Sequence, residues 1–388
     1  MSETQASALR LAFATTSDPA DVRKWSGSIH FLTRTLRRQD VDLEVIGPLL
    51  RRRLLLTKAV NRVRAMAVPG TFLPSERTEA MARRFARAIG TRFRAGQAQA
   101  VLSPGSIPVA LLDAAIPHAF FTDATFTGLL HEYPELEGYD GGSVEEGHHL
   151  ERAALQGSVR AFYTSRWAAD SAVAHYGADP ARIRVLPFGP NLDLLPTRDQ
   201  VLRAVEQRPT ERCELLFVGV TWERKGGPLA LEVATLLNAR GLPTRLTVVG
   251  CTPPGPLPDF VEVVPFIVKD TALGQRHLVR LMLHANFLIM PSLAECFGIV
   301  YAEASVMGLP SLARDTGGVA DAVRDGVNGR LFPSDAVATD YADAVEALMR
   351  DPDAYRTLCA DSRREHETRL NWPATARGIR DELVRALE

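Results

Sequence analysis

Cysteine is scarce and scattered. Cys213, Cys251, Cys296 and Cys359 stand far apart, with no two at metal-ligand spacing. That counts against a zinc site and against a disulfide scaffold, and free thiols in a reducing compartment are the expectation. No apolar run approaches the roughly 20 residues needed to span a bilayer. The opening residues, MSETQASALR, hold no apolar signal segment, so a cytoplasmic protein is expected. Charge of one sign is also missing. The formal net charge is -1, which implies no nucleic-acid partner for the chain as a whole. The first strand candidate, LAFATTSDPAD, has no Gly-x-Gly-x-x-Gly, which counts against a dehydrogenase. The Gly-four-Gly-Lys-Ser/Thr spacing of a P-loop is absent too. No Asp-x-Asp pair closes a strand, so neither a metal nor another cofactor is expected.

What is present is an alternation of short apolar runs with amphipathic stretches. LRLAFATT (9–16), VDLEVIGP (41–48), AQAVLSPG (98–105), HAFFTD (118–123), VRAFYTS (159–165) and IRVLPFG (183–189) read as strands. Helical patterns lie between them, one of them near 107–115. Residues 131–151 are polar and acidic and read as a long surface loop leading into a helix. Near 190–212 the pattern breaks at a polar segment with three prolines, read as a linker with one short helix. It restarts with ELLFVGV (214–220), RLTVVGC (245–251) and VEVVPFI (261–267). Such βαβα order predicts an α/β chain with parallel sheets. At 388 residues it suits two doubly wound, Rossmann-like domains, over 1–195 and 196–372.

The most informative stretch is 286–333. Phe287-Leu288-Ile289-Met290 reads as a buried strand, followed by a loop to Phe297, then Gly298 and a helix. A second strand, Ser311-Leu312-Ala313, leads to Thr316-Gly317-Gly318 and another helix. Glycine at a helix mouth lets an anion approach backbone amides. Glu295 lies in the first loop and Glu303 in the first helix, among Tyr301, Ala302, Ala304 and Ser305. A carboxylate in such company needs a partner, either a ligand hydroxyl or a backbone amide. Further back, FVGVTWERKGGPLAL (217–231) places Arg224 and Lys225 before Gly226-Gly227 and a helix. Two cations at such a mouth fit a diphosphate; a solvated basic turn is the plainer alternative.

The ordered set resembles the retaining glycosyltransferases of family 4, which have the GT-B fold. The resemblance is carried by Phe217-Val218-Gly219 with Lys225-Gly226, Pro291-Ser292, Glu295 and Glu303 with Ala304, Gly308-Leu309-Pro310, Thr316-Gly317-Gly318 and Asp325-Gly326 with Asn328-Gly329. The first half matches more loosely, at Trp25-Ser26-Gly27-Ser28, Ser165-Arg166-Trp167 and Pro187-Phe188-Gly189. It implies two Rossmann-like domains facing each other across a central cleft, the first binding acceptor, the second binding a nucleotide sugar. It also implies that the last helix, about 373–388, crosses back to the first domain. The implied reaction transfers a sugar, with retention, from a nucleoside diphosphate sugar to an acceptor hydroxyl. UDP-sugars are favoured and GDP-sugars come next.

By the same resemblance Arg224 and Lys225 bind the diphosphate and stabilise the departing charge. Glu303 takes the ribose hydroxyls and Glu295 faces the donor sugar. Phe297, Gly298 and Ile299 offer backbone amides, Pro265, Phe266 and Ile267 meet the nucleobase, and Gly219 closes the strand beneath the phosphates. Gly27 permits close approach of the donor and acceptor. Two positions depart from the family. Its usual arginine after the strand glycine is Val220 here. Where many members have a histidine at the end of the fourth strand, this chain has Asp123. Asp123 either meets the donor sugar or is a helix N-cap or Asx turn. His118 reads as structural, His148-His149 as part of the surface loop, and Cys296 as no nucleophile.

Between residues 34 and 94 there are fifteen Arg/Lys against five Asp/Glu, and 49–66 mixes leucine with arginine and lysine. This face is read in two ways: peripheral contact with the inner face of an anionic membrane, or a basic surface that is solvated or draws in an anionic acceptor. The acceptor is left open as a saccharide, a lipid-linked sugar or a small molecule. Rivals to transfer are a same-fold nucleotide-sugar epimerase or phosphorylase, and a non-enzymatic sugar-binding protein.

Overall fold

The computed structural model describes residues 8–49, 77–133, 138 and 140–388. The basic run expected at 49–66 falls almost wholly outside them. The chain forms two compact units. One runs up to Leu186 and includes Trp372–Glu388; the other is Pro187–Asn371. The division falls at residue 186, not at 195, for a local reason. Phe188 packs edge-on against Phe297 at 5.3 Å, and the backbone N–H groups of Asp193 and Leu194 donate to the Gln275 side chain. These contacts tie the segment after Leu186 to the second unit.

In the first unit β1 (Leu9–Ala14), β2 (Val41–Ile46), β3 (Ala100–Pro104), β4 (His118–Thr122), β5 (Arg160–Tyr163) and β6 (Ile183–Val185) form one parallel sheet in the order 2-1-3-4-5-6. Leu11 to Ala14 of the interior strand are all buried, whereas edge strand β2 alternates buried Val41 and Leu43 with exposed Asp42 and Glu44. That contrast is what covering a strand on both faces, or on one, requires. The final helix Trp372–Leu387 packs on the helix Ser28–Leu36 and on β5.

Two expectations are corrected here. Most of the polar stretch 131–151 is not a loop. The helix Gly141–Gly157 starts where the Asp140 side chain accepts from the Ser143 N–H, a proper N-cap. His148 lies on that helix, with its Nδ1 2.9 Å from the Tyr176 hydroxyl. The helix expected near 107–115 is a single tight turn, Ile107–Val109.

The second unit has β7 (Cys213–Val218), β8 (Thr244–Val249), β9 (Val261–Val264), β10 (Phe287–Met290), β11 (Ser311–Arg314) and β12 (Gly329–Phe332), also parallel, in the order 12-11-10-7-8-9. The chain builds outward from β7 through β8 and β9, then returns to β7's other side with β10. The switch in strand order lies between β7 and β10. In open α/β sheets a ligand sits in the crevice at the carboxyl ends of strands flanking such a switch.

The helix Pro352–Thr368 closes this unit, and His366 near its end is buried, its Nδ1 3.1 Å from the Leu370 carbonyl. Burial disfavours the imidazolium and holds His366 down at about 4. An unfolded histidine titrates near 6.5, so below that pH the unfolded chain takes up a proton that the folded one refuses. The second unit is therefore predicted to keep its full stability above pH 6.5 and to lose up to about 3 kcal/mol by pH 4. Urea unfolding across that range measures it. His366→Gln should remove that part of the slope.

Candidate active site

Gly219 follows β7 and marks the mouth of the switch. A Cβ there would stand 3.1 Å from Lys225 Cγ, so the missing side chain leaves room for the lysine stem to pass. The turn from Thr221 ends at Gly226, whose φ of 75° is left-handed, and the helix Gly227–Ala239 begins with Pro228 in its first turn. A Cβ on Gly226 would lie 2.1 Å from the Pro291 carbonyl oxygen. The first mouth is thus pressed against the loop after β10.

That loop carries Glu295. Lys225 Nζ is hydrogen-bonded to Glu295 Oε2, with only 14% and 11% of the two side chains exposed. Arg224 lies alongside. Its guanidinium donates to the Ala294 carbonyl at 3.1 Å, and its own carbonyl accepts from the Leu293 N–H at 2.8 Å. The Glu295 carbonyl accepts from Gly318 N–H, and the Thr316 hydroxyl donates to the Leu293 carbonyl, each at 3.3 Å. The glycine mouth at 317–318 is thereby joined to the same loop.

Gly298, at φ 82°, caps the helix Ile299–Val306. A Cβ there would press on the Tyr301 ring at 2.5 Å, and the Tyr301 hydroxyl reaches back to the Met290 carbonyl of β10 at 2.9 Å. Phe297 is buried, so what it can offer outward is backbone. One turn along the helix is Glu303, its side chain 3% exposed. Its partner is neither of the two expected. Lys269 Nζ stands 2.6 Å from Glu303 Oε1. Nothing in the sequence pattern singled out Lys269; the one available signal was a lone lysine just past the VEVVPFI strand, in the loop already assigned to a nucleobase. In that loop Phe266 is 64% exposed. A groove of about 590 Å³ runs beside it, lined by Pro265, Phe266, Ile267, Thr271, His277 and Arg280.

The remaining expected residues belong to the first unit. Asp123 follows β4, and the Trp25 indole N–H donates to its Oδ2 at 3.2 Å. Trp25 and Ser26 have φ of 46° and 54°, and Gly27 follows at 95°. Left-handed backbone at two non-glycine residues is strained, and such strain gathers at functional sites. The N-cap alternative for Asp123 does not hold, because Thr125 caps the helix Phe126–Glu132 and accepts from the Gly128 N–H. His118 is buried at the start of β4, its Nδ1 2.8 Å from the Ile116 carbonyl, and burial lowers its pKa. Among the described residues no three His, Cys, Asp or Glu side chains are placed to share a metal ion.

So Arg224, Lys225, Glu295 and the glycine-mouthed helices meet at the switch between β7 and β10. Residues 212–351 match the family model Glycosyl transferases group 1. The matched segment contains every one of those residues. Over 237 residues the chain is 30% identical to D-inositol 3-phosphate glycosyltransferase 2 of Catenulispora acidiphila, an overlap of 57% of this chain and 54% of that protein. The chain spans about half to three-fifths of the length of the curated relatives it matches. Among solved structures, sucrose-phosphate synthase of Thermosynechococcus elongatus superposes with a TM-score of 0.66 at 20% identity, covering 98% of this chain and 99% of that one. Anabaena HepE in complex with UDP gives 0.64 at 15% identity, covering 97% and 100%. At such identities the likeness is one of fold: two all-parallel six-stranded sheets, the GT-B architecture.

The contact between the first mouth and the β10 loop gives a prediction. Gly226→Ala and Gly241→Ala both force alanine into left-handed backbone, at φ 75° and 87°, but only at Gly226 does the Cβ meet another chain segment. Gly241→Ala should cost about 1 kcal/mol. Gly226→Ala should cost roughly 3 kcal/mol or more, since it must push Pro291 away. Melting temperatures of the two variants decide it, and equal losses would contradict the packing described.

Proposed function

We propose that the chain is a glycosyltransferase that moves a sugar, with retention, from a nucleoside diphosphate sugar to an acceptor hydroxyl. The observation that carries the reading is the Lys225–Glu295 pair beside Arg224 at the glycine-mouthed switch between β7 and β10. The match of that segment to the group 1 family and the activity in the relative's name support it. UDP is the favoured nucleotide, a preference that the UDP complex of HepE supports.

In this reading the diphosphate enters beside Lys225 and Arg224, above the amides at the start of the helix Gly227–Ala239. An ammonium, a guanidinium and a helix N-terminus aimed at a departing diphosphate supply the charge that a divalent ion supplies elsewhere. No metal is therefore needed. Glu295, brought to the phosphate mouth by its bond to Lys225, faces the donor sugar. When the diphosphate takes over Lys225, Glu295 is released to bind a sugar hydroxyl. The leaving phosphate takes the acceptor's proton on the same face of the sugar, so no protein base is required. The first unit is read as the acceptor-binding one, with the strained Trp25–Gly27 loop as its candidate site. The acceptor is read as anionic, a phosphorylated polyol or saccharide. The basic excess over 34–94 and the phosphate in the relative's name both favour that reading.

Two experiments check this. A melting series with UDP, GDP and ADP should show a rise for one of them, with UDP first; at a hundredfold excess over Kd, binding adds about 2.7 kcal/mol. Glu295→Gln and Lys225→Ala should each lower turnover about a hundredfold or more while the far-UV spectrum is kept. No melting shift with any nucleotide, or full turnover in both variants, would overturn the assignment.

A further inference from the structure

Glu303 presents a problem that its expected ligand does not solve. Its side chain is almost wholly buried on a helix whose neighbours Tyr301, Ala302 and Ala304 are buried too. A lone ionised carboxylate there is costly, and protonation or a counter-ion is the usual remedy. The counter-ion is Lys269, with Nζ 2.6 Å from Oε1. Lys269 does not reach in from a loose strand of loop. Its backbone carbonyl accepts from Gln275 Nε2 at 2.8 Å, and Gln275 is itself buried. The rest of that amide is also committed. Nε2 donates to Asp193 Oδ2 at 3.2 Å, and Oε1 accepts from the N–H groups of Asp193 and Leu194 at 2.9 and 3.1 Å. Two donors and two acceptor positions are all used, which is the full capacity of a glutamine amide. The anchor of Lys269 is therefore fixed at its backbone, and its ammonium holds one carboxylate oxygen.

We propose that Lys269 is a positioning residue for recognition of the nucleotide's ribose. Resting on the reading of a nucleoside diphosphate site, it holds the Glu303 carboxylate in one orientation, so that the carboxylate accepts hydrogen bonds from the vicinal hydroxyls of a ribose. A swinging Glu303 would lose that geometry. Lys269 then acts through Glu303, and its removal weakens recognition of the diol more than it weakens binding of the diphosphate.

The test compares UDP with 2′-deoxy-UDP by calorimetry on the full chain, in wild type and in Lys269→Met, Lys269→Arg and Glu303→Gln. The ratio of the two Kd values within one protein is unaffected by how stable that protein is. Wild type should prefer UDP by about tenfold to a hundredfold, the worth of a hydrogen bond to a charged group. Lys269→Met and Glu303→Gln should bring the ratio close to one, and Lys269→Arg should restore most of it. If Lys269→Met fails to fold, Lys269→Gln takes its place. A wild-type ratio retained without the Lys269 charge would overturn the proposal, as would a wild type that binds UDP without regard to the 2′-hydroxyl. A wild type that binds none of UDP, GDP and ADP would instead overturn the nucleotide reading itself, and this proposal with it.

Discussion

The second unit depends on how a buried carboxylate is neutralised. Glu295 sits at the carboxyl end of β10 and Lys225 at the carboxyl end of β7, joined across the point where the strand order reverses. Neither charge is comfortable alone at that depth, and losing one partner of such a pair is far more costly than the pair is stabilising. The contact does not stand by itself. The Arg224 carbonyl and guanidinium each bond to the same β10 loop, and Gly226 has no side chain where Pro291 needs the space. Two loops from strands adjacent in space but distant in sequence are thereby held in register. An anion entering there meets cations that are already placed.

A second pair repeats the arrangement one helical turn deeper. Lys269 neutralises Glu303, and Gln275 anchors Lys269. In both pairs the lysine belongs to the β7-to-β9 side of the switch and the carboxylate follows β10. The β10 side is built to hold its carboxylates firmly, with Gly298 yielding space to Tyr301 and the Tyr301 hydroxyl tied to the Met290 carbonyl. Each ammonium carries three donors. Under the proposed function, a nucleotide sugar exchanges with part of each pair and need not create a charged site from nothing.

The sheets were legible in the sequence because parallel strands covered on both faces must be apolar throughout, as Phe287 to Met290 are. Glu295, Arg224 and Lys225 were legible because glycine-mouthed helices leave a local mark. Other features leave none. Lys269 becomes informative only once folding brings it to Glu303, 34 residues on. The helix Gly141–Gly157 was hidden by glycines and charges, and is started by an Asp140 cap that the acidic composition obscured. The division after Leu186 was misplaced because polar composition suggested a linker, whereas Phe188 and Gln275 fasten that segment by contacts between distant residues. Trp25 and Asp123 were each noticed, but their hydrogen bond joins residues 98 positions apart.

The central claim is that a nucleoside diphosphate binds at the switch between β7 and β10. Hydrogen–deuterium exchange of the full chain with and without UDP tests it most directly. The account predicts new amide protection concentrated in two stretches, 219–229 and 295–304, where the glycine-mouthed helices begin. Protection confined to the first unit, or placed in the second unit away from both stretches, would contradict it.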